Sequence, residues 1–161
     1  MRTKIVHRQV INIPPARVIP FLQDFESLAR LNPFLTSVSR GKDGNWEFVE
    51  DIVILKLFHR NVRTTARRTP HQRGSDIELR PPLGVRMRTK WRVEEKRDKA
   101  SIACILNAED IVEGSPLVIP FIAGKIRQAR SDMMEKLVQK LLEPYPTTTD
   151  MRGREGRGRA M

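Results

Sequence analysis

The residues best suited to acid–base chemistry are two pairs of adjacent carboxylates, Glu50-Asp51 and Glu109-Asp110. Both pairs lie in strand-like stretches, where consecutive side chains point to opposite faces, so at most one member of each turns inward. An inward Glu50 or Asp110 in an apolar cavity has its neutral form favoured by desolvation and can act as a general acid or base. The ordinary alternative is a carboxylate paired with Arg or Lys at a strand end. His7, His59 and His71 are scattered without metal-ligand spacing, so no metal site is expected. Cys104, in the apolar run Ile102-Ala103-Cys104-Ile105-Leu106, reads as a buried, inert thiol. No nucleophile elbow, zinc-protease helix, phosphate loop or dinucleotide fingerprint occurs, and the catalytic residues stay unassigned.

The strongest charge feature is a row of cations, Arg86, Arg88, Lys90 and Arg92, at alternate positions. On one strand face they span about 20 Å at ~3.3 Å per residue. Such a row can dock on acidic lipid or on phosphates, or be a solvated face paired with Glu78 and Glu109 on neighbouring strands. Trp91 points to the other face, so the row lacks the aromatic platforms of single-strand nucleic-acid binders, and nucleic acid is not the expected partner.

These side chains are carried by a simple order of elements. Residues 4–13 read as a strand stopped by Pro14-Pro15, and Pro15 suits a first helical turn. Val18, Phe21, Leu22 and Phe25 follow helical spacing, with Pro20 making that helix short or kinked. Leu28 and Leu31 predict a second short helix ended by Asn32-Pro33. Strands are predicted at 35–40, 45–58, 62–69, 75–80, 85–96 and 100–111, with a turn around His59-Arg60-Asn61. The clearest alternation sets Val85, Met87, Thr89, Trp91 and Val93 against the basic row. A long helix starts at Ser115-Pro116 or near Ile119 and ends before Pro144, about 24 residues on. Val118, Ile122, Ile126, Ala129, Met133, Leu137 and Leu141 form its apolar stripe. Lys125, Arg127, Arg130, Asp132, Glu135 and Lys136 fall mostly off it.

The 161 residues make one α+β domain over 1–143 and a disordered basic tail over 144–161. The net charge is +11, and the tail's four arginines against two acids leave most of that excess on the folded body. It favours anionic partners or is simply a basic surface. One cysteine excludes an internal disulfide, and no apolar run approaches the ~20 residues that cross a bilayer. The charged opening Met1-Arg2-Thr3-Lys4 predicts no signal peptide and a cytoplasmic protein.

The stretch from Val10 to Phe25, a strand, a proline and then a helix ending near Asp24, resembles the opening of the START-like superfamily, which includes polyketide cyclase/dehydrase, lipid-transport and Bet v 1-like proteins. Asn32-Pro33-Phe34-Leu35-Thr36-Ser37-Val38 resembles that family's passage into its second strand. The likeness covers residues 4–143, with Pro20 or Phe21 where the family commonly has tryptophan. It implies a helix-grip fold: a curved antiparallel sheet of about six to seven strands around the long C-terminal helix, with two short helices after the first strand.

The resemblance also implies an apolar cavity between sheet and helix, because a bowed sheet cannot close-pack along a straight rod. Phe121, Ile122, Lys125, Ile126, Ala129 and Met133 of the helix would line it. Met87, Thr89, Trp91, Cys104 and Leu106 would face them from the sheet, and Phe21 and Phe25 would close one side. The alternative is that these residues pack as a solid core. The mouth would lie among loops 26–35, 58–61 and 80–84, with Pro81, Pro82, Leu83 and Gly84 as a gate. The implied function is binding or transport of a hydrophobic small molecule: a lipid, an isoprenoid or a polyketide-like aromatic. A cofactor-free cyclase or dehydratase of the same fold is the alternative, with Arg63, Arg68 or Lys125 polarising a carbonyl if turned inward. A basic surface-binding protein for acidic membrane or nucleic acid is the other alternative, with an acidic membrane surface the favoured partner of the two. No cofactor is expected.

Overall fold

The computed structural model describes residues 1–54, 57–96 and 103–143. Seven strands form one antiparallel sheet: β1 (Arg2–Ile11), β2 (Leu35–Arg40), β3 (Trp46–Ile54), β4 (Phe58–His71), β5 (Gly74–Arg80), β6 (Arg86–Glu95) and β7 (Cys104–Glu113). Their spatial order is β1-β7-β6-β5-β4-β3-β2. The helices α1 (Pro15–Gln23) and α2 (Phe25–Ala29) link the two edge strands, and α3 (Ile119–Leu142) follows β7. The predicted tail, 144–161, lies outside the described residues, as does the start of the strand predicted at 100–111. Among the described residues no helix is long and apolar enough to cross a membrane.

Alternation places one face of the sheet in the core. Along β6, Thr89, Trp91 and Val93 are buried, while Arg86, Arg88 and Lys90 are exposed. The core divides in two. One cluster joins Ile11, Val18, Leu22, Trp91, Cys104 and Leu106 to the C-terminal half of α3 through Met133, Met134, Leu137 and Leu141. The other joins Ile5, Val85 and Val112 to its N-terminal half through Ile119, Ala123 and Ile126.

Two boundaries depart from the sequence prediction. His59, Arg60 and Asn61 are not a turn: they pair with Val53, Ile52 and Asp51, and β4 runs through them. Pro70 and His71, beyond the strand predicted at 62–69, also belong to β4. The β4 pattern misleads because its inward residues, Val62, Thr64 and Ala66, are small or half-polar, which weakens the period-two signal. In α1, Pro15 occupies the first turn and Pro20 sits within the helix, which is nine residues long and ends at Gln23. Asp24 then caps α2, accepting from the Ser27 N–H at 3.3 Å and from its hydroxyl at 2.8 Å. α3 starts at Ile119, the later of the two predicted starts.

Candidate functional site

Antiparallel pairing puts the β3–β4 and β5–β6 hairpins at the same end of the sheet as the start of α3. A cavity of about 210 Å³ opens there between α3 and strands β3 to β6. From α3 it is lined by Phe121, Ile122, Lys125, Ile126, Ala129 and Arg130, with Val118 just ahead of the helix. Met87 and Leu79 face them, and the β5–β6 turn closes over with Pro81, Pro82 and Leu83. Leu83 and Gly84 have φ of 67° and 68°, so the turn holds two consecutive left-handed residues. Glycine adopts that region freely, whereas leucine does so at a cost of about 1–2 kcal/mol.

The inner end of the cavity is polar. Glu50 and Thr64 line it from β3 and β4, with Asn32 from the loop before β2. Asn32 is fixed from both ends: its Oδ1 accepts from the Phe34 N–H at 3.0 Å, and its Nδ2 donates to Glu50 Oε2 at 2.8 Å. Burial raises the Glu50 pKa above the usual carboxylate value, against the smaller opposing effects of the Asn32 hydrogen bond and the Arg130 charge. Asp51, its neighbour, turns outward to His59, 3.1 Å away.

Beneath this end sits a buried charge cluster. Arg130 Nε donates to Asp110 Oδ2 at 2.9 Å, and its Nη2 to Asp110 Oδ1 at 2.7 Å and to Thr89 Oγ1 at 3.2 Å. Thr89 donates to Asp110 Oδ1 at 2.6 Å, and the guanidinium carbon lies 5.4 Å from the centre of the Trp91 ring. Glu109, on the opposite face, pairs with Lys4 at 3.1 Å.

Several predicted site residues stand elsewhere. Cys104 and Leu106 are fully buried in the core and do not line the cavity. They face inward as alternation requires, but near the start of β7, at the far end from the opening. Phe21 packs against the same core. Phe25, Thr89, Trp91 and Met133 surround a recess of about 50 Å³ that also touches Arg130. Phe25 meets Trp46 with ring centres 5.2 Å apart. Gly84 belongs to the β5–β6 turn but does not line the cavity, and 58–61 is strand rather than rim. Of the three cations considered, Lys125 reaches the cavity, its Nζ 5.3 Å from the Phe34 ring centre. Arg63 points outward to Glu47, and Arg68 donates to the Gln23 carbonyl. Cys104 carries a thiol whose pKa burial raises.

Sequence reasoning misses Arg130 because a cation on an amphipathic helix marks the solvent face by default. Its spacing, four after Ile126 and three before Met133, sets it on the buried face, and Asp110 opposite was the signal.

The basic row lies on the outer face. Arg88 pairs with Glu78 at 3.8 Å, Arg92 with Asp76 at 2.6 Å, and Lys90 stands opposite Glu109 in register. A groove of about 370 Å³ there is lined by Arg2, Arg80, Arg86 and Arg88 together with Glu78 and Glu113. It is larger than the apolar cavity, but two of its cations are already paired, Arg2 with Glu113 at 3.5 Å and Arg88 with Glu78. Among the described residues no group of three His, Cys, Asp or Glu side chains comes together to hold a metal ion.

Residues 9–143 match the family model described as Domain of unknown function (DUF7053). No curated protein matches the chain. A conserved protein from Geobacillus kaustophilus superposes with a TM-score of 0.70 at 11% identity, over 86% of this chain and 95% of that one. A START superfamily protein from Mycobacterium smegmatis gives 0.63 at 12%, over 86% and 98%. Truncated norcoclaurine synthase from Thalictrum flavum gives 0.64 at 13%, over 89% and 96%. At such identities the likeness is one of fold, and the fold is the START-like helix grip.

Proposed function

The chain belongs to the DUF7053 family, and from its helix-grip fold we propose that it binds or carries a hydrophobic small molecule in the cavity between α3 and the sheet. The observation that carries this reading is the largely apolar lining of that cavity beneath the β5–β6 turn. Concave, apolar sites with a few fixed polar groups are the usual form of small-molecule pockets. At about 210 Å³ the cavity lies below the ~300–1,000 Å³ of drug-sized sites, so its ligand is small or the turn moves aside. Native mass spectrometry of freshly purified protein tests this: a co-purifying apolar molecule is expected. If none is present and no apolar probe saturates the protein, the reading is wrong.

An acidic membrane surface is the partner we infer for the open end. Leu57, Leu83 and Leu117 are 78%, 76% and 91% exposed, and Phe58 and Phe121 are exposed beside them. All five belong to the hairpin tips and the start of α3, at one end of the molecule. The exposed cations Arg2, Arg60, Arg80 and Arg86 stand at the same end. Apolar tips within a basic surround suit insertion among anionic headgroups. Co-sedimentation with vesicles of phosphatidylcholine and phosphatidylserine is expected, and with phosphatidylcholine alone it is expected to be weak. Equal binding to both, or to neither, would remove this partner.

A cofactor-free enzyme is the second reading, and Glu50 favours it: a carboxyl with a raised pKa lining an apolar cavity is suited to general acid–base work.

A further inference from the structure

Thr64 is 2% exposed, it lines the cavity, and its Oγ1 has no hydrogen-bond partner. A hydroxyl left unpaired in an interior costs about 1–3 kcal/mol, so this group is poised for a partner that arrives from the cavity. Its nearest polar company is defined by strand register. Glu50 stands opposite Val62, and Phe48 opposite Thr64, so Glu50 and Thr64 lie on the inward face of adjacent strands, one inward step apart. Asn32 donates to Glu50 Oε2 and is itself held by the Phe34 N–H, so it orients Glu50 through that one oxygen.

The neighbouring charges are already matched. Arg130 commits its Nε and Nη2 to Asp110 and Thr89, and Asp110 is closed off from solvent by that pairing. Of the two cations that line the cavity, Arg130 is matched by Asp110, and Lys125 rests its Nζ 5.3 and 5.7 Å from the Phe34 and Phe121 ring centres. The inner end offers two groups of complementary habit: the Thr64 hydroxyl, which donates and accepts, and the Glu50 carboxyl, which accepts in either ionisation state. A ligand hydroxyl can donate to one and accept from the other. A methyl group in the same place can do neither.

We propose that the cavity seats a small uncharged amphiphile by one hydroxyl group, held between Thr64 Oγ1 and the Glu50 carboxyl, with its hydrocarbon running out past Ile126 and Ile122 toward Leu83. This rests on the reading of the cavity as a small-molecule site, and deepens it by assigning the chemistry of the ligand's inner end. With its hydroxyl seated between Glu50 and Thr64, the ligand enters tail last.

The test uses two probes of equal shape, 4-propylphenol and 4-propyltoluene, which differ by hydroxyl against methyl, titrated calorimetrically into the full chain. The phenol is expected to bind at least tenfold more tightly. In Thr64→Val the preference is expected to fall to less than threefold, with the affinity for 4-propyltoluene unchanged or improved, whereas Thr64→Ser keeps the preference. Should Thr64→Val fail to fold, Thr64→Ala supplies the same comparison. Equal affinity of the two probes for the natural chain overturns the hydroxyl seat while leaving the cavity reading intact. Binding of neither probe overturns both.

Discussion

Arg130 and Asp110 are joined by two parallel hydrogen bonds of 2.9 and 2.7 Å, with Asp110 fully buried and the guanidinium nearly so. The pair ties α3 to β7 midway along the helix. Bidentate geometry with Thr89 as a third partner offsets much of the cost of removing both charges from water.

Breaking one side of this pair leaves the other buried and alone. Arg130→Met is expected to cost about 3–5 kcal/mol of stability. The double variant Arg130→Met with Asp110→Leu removes both charges and is expected to regain most of that loss. Urea unfolding of the natural chain, both single variants and the double variant checks it. Additive losses would show that the two residues act independently.

Glu50 carries a pH signature. Its folded pKa is raised by burial, so above the ordinary carboxylate range the unfolded chain loses its proton more readily than the folded one. Its contribution to stability is thus full at low pH and is lost as pH rises through the folded pKa. Glu50→Gln removes that dependence. The difference in Tm, variant minus natural, is expected to be more positive at pH 8 than at pH 4.5. A constant difference across that range would contradict it.

Leu83 sits at φ 67° with its side chain in solvent. Leu83→Gly is expected to stabilise the fold by about 1 kcal/mol, because glycine takes that backbone region without strain. The same change is expected to weaken sedimentation with phosphatidylserine-containing vesicles severalfold. Greater stability together with undiminished vesicle binding would separate the residue from the membrane.

Gly74 has φ 152°, and a Cβ built there would lie 1.9 Å from the Trp91 carbonyl oxygen. Backbone cannot yield as a side chain can, so Gly74→Ala is expected to lower stability by several kcal/mol, above the usual range of point substitutions. Thermal unfolding measures it. A loss under about 1 kcal/mol would mean that the β5–β6 pairing adjusts.

Cys104 is fully buried, and its thiol pKa is raised. Reaction with a thiol reagent at pH 8 is expected only as fast as the chain opens, and at once in denaturant. Immediate stoichiometric reaction in the native state would disagree.

Much of this architecture is written in local pattern. The alternation of 85–93 fixes which face of β6 is buried, Pro15 marks the start of α1, and the 24-residue spacing predicted for the last helix is the length of α3. Position along an element is harder to read than facing. Cys104, Leu106 and Met87 all point inward, yet only Met87 reaches the cavity, because period two says nothing of how far a residue stands from the opening. Arg130 shows a different limit. A cation on a helix is assigned to water unless its partner on another element is known, and Asp110 is twenty residues earlier in the chain. Thr64 went unnoticed because its interest lies in what it does not touch.

The end of α1 is fastened to the sheet by three side chains: Ser75 Oγ donates to the Leu22 carbonyl at 2.7 Å, Arg68 donates to that of Gln23, and Gln23 Nε2 reaches the His71 carbonyl at 2.9 Å. The Leu22 and Gln23 carbonyls are among those a helix leaves orphaned at its last turn. Such a rivet makes the floor of the molecule a poor hinge. Among the described residues the proline turn at the opposite pole carries no comparable set of side-chain bonds, so this protein should breathe more readily from that side.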